Sequence, residues 1–427
     1  MKLWQKNKTP VTENVDRFTV GEDRIWDVRL APYDVVASKA HAQMLASVGL
    51  LTTEEAAQLI AALDTLLEQV TTDDFVIEDA FEDIHSKIEF LLTERLGDVG
   101  KKIHTARSRN DQVLTAMQLF LKDELTEIKV LTKELFSTWM GLAEKYKNDL
   151  LPGYTHLQVA MPSSFGLWFS AYAEALIDDV ILLNAAHTIC DQNPLGSAAG
   201  YGSSFPIDRN HTTEALAFNT LKFNAVAAQM GRGKTERITA SALGALAATL
   251  GRFSMDVCLY MNQNFNFIHF PDHLTTGSSI MPHKKNPDIF ELIRGKCALI
   301  QGLANDFALL GQNLPSGYHR EMQLFKGKMI EGIDSIKDCL TILNSTIKEV
   351  HIRKNIMEDG IYTYAFTVDA LNELVQQGVP FRDAYKQVGQ QVEKGSFVPP
   401  KKVDHTHLGS LGNLALDKIQ EKFDRYF

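Results

Sequence analysis

The residues best suited to chemistry form one polar run, 277–287, with the sequence Gly-Ser-Ser-Ile-Met-Pro-His-Lys-Lys-Asn-Pro. This run leads directly into an apolar stretch that begins near Asp288. A glycine-hinged loop of this composition can present backbone N–H groups, an ammonium and a hydroxyl to a carboxylate that gains charge during a reaction. The alternative interpretation is an ordinary connection between two helices that stops at a proline.

Three further polar runs contain histidine, arginine and amide side chains. We number the four runs along the chain: segment I is 104–111, segment II is 152–158, segment III is 277–287 and segment IV is 314–323. Segment I reads His-Thr-Ala-Arg-Ser-Arg-Asn-Asp, and segment II reads Pro-Gly-Tyr-Thr-His-Leu-Gln, which places His156 in a predicted Pro-Gly turn. All four runs lie where a predicted helix begins or ends.

Helical periodicity dominates the rest of the chain, with apolar residues recurring at intervals of three and four. The predicted long helices cover Val113–Leu142, Pro162–Leu183, Thr235–Phe267, Ile289–Leu310 and Gln323–Val350. Shorter helices are predicted over Val35–Val48 and Thr53–Glu68, the second with a start signal at Thr52. Strand patterning is nearly absent, so the sequence predicts an all-α fold with unusually long helices.

The chain has 427 residues, which is too long for one compact core. Shorter helices flank the long-helix region on both sides. We therefore expect an N-terminal helical domain over 1–105, a central long-helix bundle over 106–355 and a small C-terminal helical domain over 356–427.

The helix predicted between segments I and II creates a geometric problem. It is roughly forty residues long, so its ends lie about 60 Å apart if it is continuous. One chain cannot bring both segments to one small ligand over that distance. If both segments serve one site, different subunits of a symmetric oligomer must supply them.

Bulk composition excludes several classes of function. The formal charge of −10 and the lack of a long basic run argue against nucleic-acid binding. The N-terminal residues 1–10 lack the apolar core of a signal peptide, and we expect no membrane span. The four cysteines form no CxxC pair, so we expect a cytoplasmic protein without structural zinc or disulfides.

Segments I, II and III together resemble the motifs of the fumarase and aspartase superfamily, and specifically those of the argininosuccinate lyase family, which includes the delta-crystallins. The resemblance extends from Trp26-Asp27 to Lys326, and Lys284-Lys285-Asn286-Pro287-Asp288 ends segment III in the manner of that family. It implies three all-helical domains, a twenty-helix core in a homotetramer, and active sites that each combine three chains. It also implies that argininosuccinate is cleaved to arginine and fumarate, for arginine synthesis, without a cofactor or a metal.

The same resemblance implies roles for individual residues. Ser278 would be the catalytic base that removes a proton from the succinyl carbon, and His156 would manage the proton of the departing guanidinium. Lys284 would hold a carboxylate. The other substrate-binding residues that we expect are Ser108, Arg109, Asn110, Thr155, Asn286, Tyr318, Gln323 and Lys326. Arg109 could instead pair with another subunit or lie in solvent.

The sequence departs from the family pattern at three places. His283 stands where many argininosuccinate lyases have glutamine, and Met-Pro-His-Lys is similar to adenylosuccinate lyase. The stretch 224–237 lacks the usual serine and aspartate, and no serine between Phe18 and Trp26 matches the family's N-terminal substrate ligand. The alternatives are therefore an adenylosuccinate lyase-like enzyme that releases fumarate, and a non-catalytic homologue of the delta-crystallin kind.

Overall fold

A computed structural model describes residues 13–400, 403 and 405–427 of the chain. Helices account for most of these residues and the sheets are small, which confirms the predicted all-α fold class. The prediction that the first ten residues contain no signal peptide concerns a stretch outside the described residues.

The helices are numbered along the chain. They are α1 (Glu13–Val20), α2 (Asp23–Ser47), α3 (Thr53–Val70), α4 (Ile84–Leu96), α5 (Asp98–Lys101), α6 (Arg109–Lys145), α7 (Phe165–Cys190), α8 (Arg209–Ala215), α9 (Ala225–Gln229), α10 (Lys234–Met261), α11 (Asp288–Leu310), α12 (Phe325–Ile347), α13 (Thr367–Gln376), α14 (Phe381–Glu393) and α15 (Leu416–Asp424). Short 3₁₀ turns join several of them, including Asp272–Leu274 and Arg320–Leu324.

Six short strands form three two-stranded sheets in the described part of the chain. The strands are β1 (Leu150–Thr155), β2 (Gln158–Ser164), β3 (Gln192–Asn193), β4 (Thr220–Leu221), β5 (Ile268–His269) and β6 (His351–Ile352). β1 and β2 form an antiparallel hairpin, β3 and β4 are parallel, and β5 and β6 are antiparallel.

The predicted long helices are confirmed, although their ends differ. The second predicted helix should open at Pro162-Ser163, but these residues belong to β2, where they pair with Pro152 and Leu151, and α7 begins at Phe165. The third should reach Phe267, yet α10 ends at Met261. It stops there because the Asn262 side chain accepts hydrogen bonds from the backbone N–H groups of Asn264 and Phe265, which forms a turn.

The described chain divides into two compact units, each assembled from three stretches. Unit 1 comprises the stretch ending at Ile128 together with 182–245 and 299–336. Unit 2 comprises 129–181, 246–298 and the stretch from Lys337 onward. All of these boundaries fall within long helices. The division into three domains over 1–105, 106–355 and 356–427 therefore stays a prediction.

Unit 1 has an aliphatic core between α2, α3 and α4. Its fully buried side chains include Leu45, Leu59, Leu63, Ile84 and Leu92. The predicted start signal of α3 is a reciprocal cap. The Thr52 hydroxyl accepts from the Glu55 N–H at 3.2 Å, and the Glu55 carboxylate accepts from the Thr52 N–H at 3.1 Å.

Unit 2 has an aromatic core that contains the half-buried carboxylate of Asp256. Trp168 stacks on Phe253 with ring centroids 5.1 Å apart, and Trp139 packs against Phe253 at 4.6 Å. The Asp256 carboxylate accepts hydrogen bonds from the Trp168 indole at 3.0 Å and from the Tyr172 hydroxyl at 2.7 Å. These bonds satisfy the polar groups that aromatic residues would otherwise bury without a partner.

By length and composition alone, α10 is the one helix in the described part of the chain that could cross a membrane. A single helix of this kind is weak support for a span, because core helices of proteins that enter no membrane pass the same test. Asp256 lies on α10 and is bound within the aromatic core of unit 2, so this part of the helix has a packing role.

Candidate active site

Segments I and IV meet in one cavity of unit 1, with a volume of about 590 Å³. This volume is in the range of small-molecule sites. The predicted substrate-binding residues that line it are Ser108, Arg109, Asn110, Tyr318, Gln323 and Lys326. Two segments separated by some two hundred residues of sequence therefore contribute to a single site.

The residues of segment I are fixed by the way α6 begins. The Ser108 hydroxyl accepts a hydrogen bond from the Asn110 N–H at 3.2 Å, and the Asp111 carboxylate accepts one from the Ser108 N–H at 3.0 Å. These two bonds satisfy backbone donors that the first turn of a helix leaves free. Asn110 therefore lines the cavity from a capped, rigid helix end.

Asp111 also fixes a neighbouring part of the cavity wall. Its second carboxylate oxygen accepts from the N–H groups of Gly196 at 3.0 Å and Ala198 at 2.9 Å, and the adjacent Ala199 lines the cavity. Burial raises the pKa of the Asp111 carboxyl to about 6, although the backbone hydrogen bonds favour its charged form.

The Lys326 ammonium lies buried between two carboxylates, Asp27 and Asp23, the latter at 3.0 Å. Burial favours the neutral amine, but the two carboxylates outweigh it and raise the pKa of Lys326. Burial raises the pKa of Asp23. Lys326 is therefore a charged member of an internal ion cluster. A substrate that binds Lys326 would compete with Asp23 and Asp27 for its ammonium group.

Arg109 is likewise paired within the chain. Its guanidinium contacts Asp83 and lies 3.1 Å from Glu82, whose carboxylate also pairs with Arg320 at 3.2 Å. Burial acts to lower the pKa of Arg109, but Asp83 and Glu82 outweigh burial and raise it. Arg109 thus lines the cavity as part of a network of four charged side chains.

Segment II is a β-hairpin of unit 2, and the predicted Pro-Gly turn was wrong. Pro152 and Gly153 lie within β1, whereas His156 and Leu157 form the two-residue turn, with φ of 54° and 57°. Positive φ at both central residues is the hairpin geometry that matches strand twist, and it is normally built from asparagine or glycine. Thr155 and His156 are exposed at the tip of this hairpin.

Segment III is an exposed loop of unit 2 that is closed at its root. Thr276 and Asn286 exchange both backbone hydrogen bonds, at 2.8 and 3.4 Å, so that residues 277–285 form the loop. The Asn286 amide donates to the Thr276 hydroxyl at 3.3 Å and to the Gly277 carbonyl at 3.1 Å. Lys284 is exposed, and Lys285 pairs with Asp272.

The Ser278 hydroxyl lies in a small nest of backbone donors. Its oxygen accepts from the Met281 N–H at 3.1 Å and from the Ile280 N–H at 3.4 Å. Donors aimed at an oxygen favour its negatively charged form. The ionised form of the Ser278 hydroxyl, which a base would need, is therefore stabilised by the backbone of its own loop.

Sequence reasoning did not assign several residues of the unit 1 cavity. They include Asp23, Asp27, Asp83, His85 and Arg232. Asp23 occupies the stretch between Phe18 and Trp26, where no serine was found. Arg232 lies in the unusual stretch 224–237 and pairs with Glu236 at 3.0 Å. One sequence pattern could have indicated part of this cavity. It is the acidic pair Glu82-Asp83, followed by His85 at the start of a helix.

Comparison with known proteins places the chain in a large lyase group. A lyase family model matches residues 12–302. Among solved structures, a variant of EDDS lyase with bound fumarate has a TM-score of 0.78, covering 98% of this chain and 90% of its own, at 20% identity. A fumarate lyase:delta crystallin from Brucella melitensis in native form has a TM-score of 0.74, covering 96% and 93%, at 17% identity. These structural similarities show that the chain has the fold of these proteins.

Curated relatives narrow the assignment. An argininosuccinate lyase of Parabacteroides distasonis is 53% identical over 98% of this chain and 94% of its own length. One from Thermotoga neapolitana is 42% identical over 91% and 98%. The chain therefore belongs to the argininosuccinate lyase family.

Lys326 offers a test of the ion cluster in unit 1. We expect Lys326→Met to lower the free energy of unfolding by roughly 3–5 kcal/mol, because it leaves the buried Asp27 and the half-buried Asp23 carboxylates without their cation. Urea unfolding measures this loss. Lys328→Met on the same helix removes an exposed ion pair with Asp306, and we expect it to cost less than about 1 kcal/mol. Equal losses in the two variants would contradict the structural role of Lys326.

The raised pKa of Asp111 predicts an unusual pH dependence of stability. A carboxyl whose folded pKa lies above its unfolded value favours folding at low pH, and this contribution is lost as pH rises through about 6. We expect the free energy of unfolding of the wild type, minus that of Asp111→Asn, to increase as pH falls from about 7 to 4. Unfolding curves at several pH values measure the difference. A difference that decreases over this range would show that the charged form is favoured instead.

Proposed function

We propose that this protein cleaves argininosuccinate to arginine and fumarate, as a carbon–nitrogen lyase of arginine synthesis. The observation that carries the proposal is the pair of backbone N–H groups, from Ile280 and Met281, that hydrogen-bond to the Ser278 oxygen. Family membership and the names of the relatives support the choice of substrate. The proposal also includes a cytoplasmic location, and it involves no cofactor or metal.

The first chemical demand is the removal of a proton from a carbon next to a carboxylate. The resulting carbanion adds negative charge to an existing anion, so the site must supply positive groups where this charge develops. Ser278 serves as the base, and the N–H groups that hold its oxygen favour the alkoxide that a weak base such as serine needs. The exposed Lys284 ammonium holds a succinyl carboxylate, and Asn286 contributes to substrate binding.

The second demand is protonation of the leaving group. A guanidinium nitrogen cannot depart as an anion at neutral pH, so an acid must act near it. His156 has this role in the proposal, with Thr155 beside it on the same hairpin tip. The exposed position of both residues suits a group that meets a ligand held by other parts of the assembly.

The unit 1 cavity binds the remainder of the substrate in this proposal. Asn110, Tyr318 and Gln323 supply polar contacts. Ser108, Arg109 and Lys326 complete the cavity wall, the latter two as parts of ion networks. Gln323 is held in place because its amide donates to the carbonyls of Thr19 at 3.2 Å and Val20 at 2.9 Å.

We further propose a homotetramer in which each active site combines segments from different chains. Helix α6 runs without a break from Arg109 to Lys145, a length of about 55 Å. Segment I opens this helix and segment II follows it, which supports the distribution of one site over several subunits. The three-domain architecture and the twenty-helix core are part of the same proposal.

Replacement of the proposed base is the direct test of the reaction. We expect Ser278→Ala to reduce kcat for fumarate release from argininosuccinate by roughly 10²–10⁴-fold, because the methyl group cannot take a proton. The neighbouring Ser279→Ala is the matched control and should retain wild-type turnover. Fumarate absorbance and arginine formation measure both products. Wild-type turnover in Ser278→Ala, or fumarate from adenylosuccinate alone, would contradict the proposal.

Mixing two inactive variants tests whether subunits share the sites. Ser278→Ala alters unit 2, and Asn110→Ala alters unit 1. If different chains supply these residues, joint refolding of equal amounts should restore both native residues in about a quarter of the sites. We therefore expect activity to return to about a quarter of the wild-type level, in a particle that light scattering identifies as a tetramer. A fully active monomer, or no recovery in a proven mixed tetramer, would rule out shared sites.

A further inference from the structure

Thr276 uses every polar group it has at the root of segment III. Its backbone exchanges two hydrogen bonds with Asn286. Its hydroxyl donates to the carboxylate of Asp288, the first residue of α11, and accepts from the Asn286 amide at 3.3 Å. A single threonine thus joins both roots of the loop to the start of a long helix.

The loop beyond this root has few anchors. The Ser278 oxygen accepts from two N–H groups of the loop, and the Lys284 N–H donates to the Met281 carbonyl at 3.1 Å. These three hydrogen bonds are internal to the loop and would move with it. The contact that leaves the loop at its far end is the exposed ion pair between Lys285 and Asp272. Exposed ion pairs of this kind contribute little stability.

Gly277 marks the point where the fixed part ends. Its φ lies outside the left-handed region, and an added Cβ would meet only the Lys284 carbonyl oxygen, at 4.0 Å. Other residues could therefore adopt the present backbone conformation at position 277. The additional conformational freedom of glycine would be used only if the loop takes up a second conformation. Thr276 is the last residue held at several points, and Ser278 follows two positions later.

We propose that Thr276 is a positioning residue for the reaction. Through Asp288 and Asn286 it ties the loop root to α11, and it thereby sets where Ser278 meets the substrate carbon. This inference rests on the proposed role of Ser278 as the base. A shift at the root would move the serine oxygen by a similar distance, and a misplacement of about 1 Å can lower a rate about 10²-fold.

Removal of the Thr276 hydroxyl is the first experiment. Thr276→Val keeps the backbone bonds and the side-chain shape, and we expect it to lower kcat for argininosuccinate by about 10–10²-fold while KM changes less than about 3-fold. Thr276→Ser keeps the hydroxyl and should restore most of the turnover. The adjacent Thr275→Val is the matched control, since that hydroxyl reaches only the Asp272 carbonyl, at 3.4 Å.

Limited proteolysis reports on the loop without any turnover. Trypsin cleaves after lysine, and Lys284 and Lys285 are both exposed. We expect the intact protein carrying Thr276→Val to be cleaved after these residues several times faster than the wild type, because proteolysis follows local opening. Mass spectrometry identifies the cut. In an Asp288→Ala background, Thr276→Val should accelerate cleavage less than it does in the wild type, because the bond to Asp288 is already absent and only the contact with Asn286 remains to be lost.

The outcomes separate this inference from the proposed reaction. Wild-type kcat and wild-type cleavage in Thr276→Val would overturn the positioning role. So would a loss of kcat that Thr276→Ser does not repair or that Thr275→Val reproduces. A wild-type protein that fails to cleave argininosuccinate would instead refute the proposed function, and the proteolysis would still show whether Thr276 holds the loop.

Discussion

The long helices impose the main constraint on this protein. Each of them buries an apolar face along its length, and the four segments that carry the candidate reactive groups lie where helices begin or end. Segment I opens α6, segment II lies between α6 and α7, segment III precedes α11, and segment IV joins α11 to α12. Of these four connections, segments I and IV line the cavity of unit 1, although some two hundred residues separate them in sequence.

The unit 1 cavity is rich in charge, and several of its charged side chains are paired within the chain. Lys326 lies between Asp23 and Asp27, and Arg109 lies against Glu82 and Asp83. Internal pairing of this kind costs desolvation energy and returns little net stability, but it holds side chains in one geometry. A ligand that enters such a cavity meets an oriented field of charges, and it gains from groups that need no rearrangement.

The sequence was sufficient to predict those parts of the structure that follow a repeating pattern of residues. Helical periodicity located the long helices, and two of the four polar segments, I and IV, line one cavity of unit 1. The catalytic and substrate-binding roles stay predictions. Local backbone features were less accessible. The turn at His156 and Leu157 was missed because positive φ is rarely built from these residues, and the end of α10 depends on one asparagine side chain. Asp23 and Arg232 were missed because their importance comes from long-range packing around Lys326, which a linear pattern does not encode.

The backbone conformation of the hairpin tip limits how the imidazole of His156 can move. Left-handed backbone at two successive residues with side chains costs on the order of 1–3 kcal/mol at each, which the pairing of β1 with β2 must offset. Because the β1–β2 hydrogen bonds hold both ends of the turn, its backbone has little conformational freedom. The reach of His156 is then determined by the strand register, and its ring can adjust mainly by rotation about its own side-chain bonds.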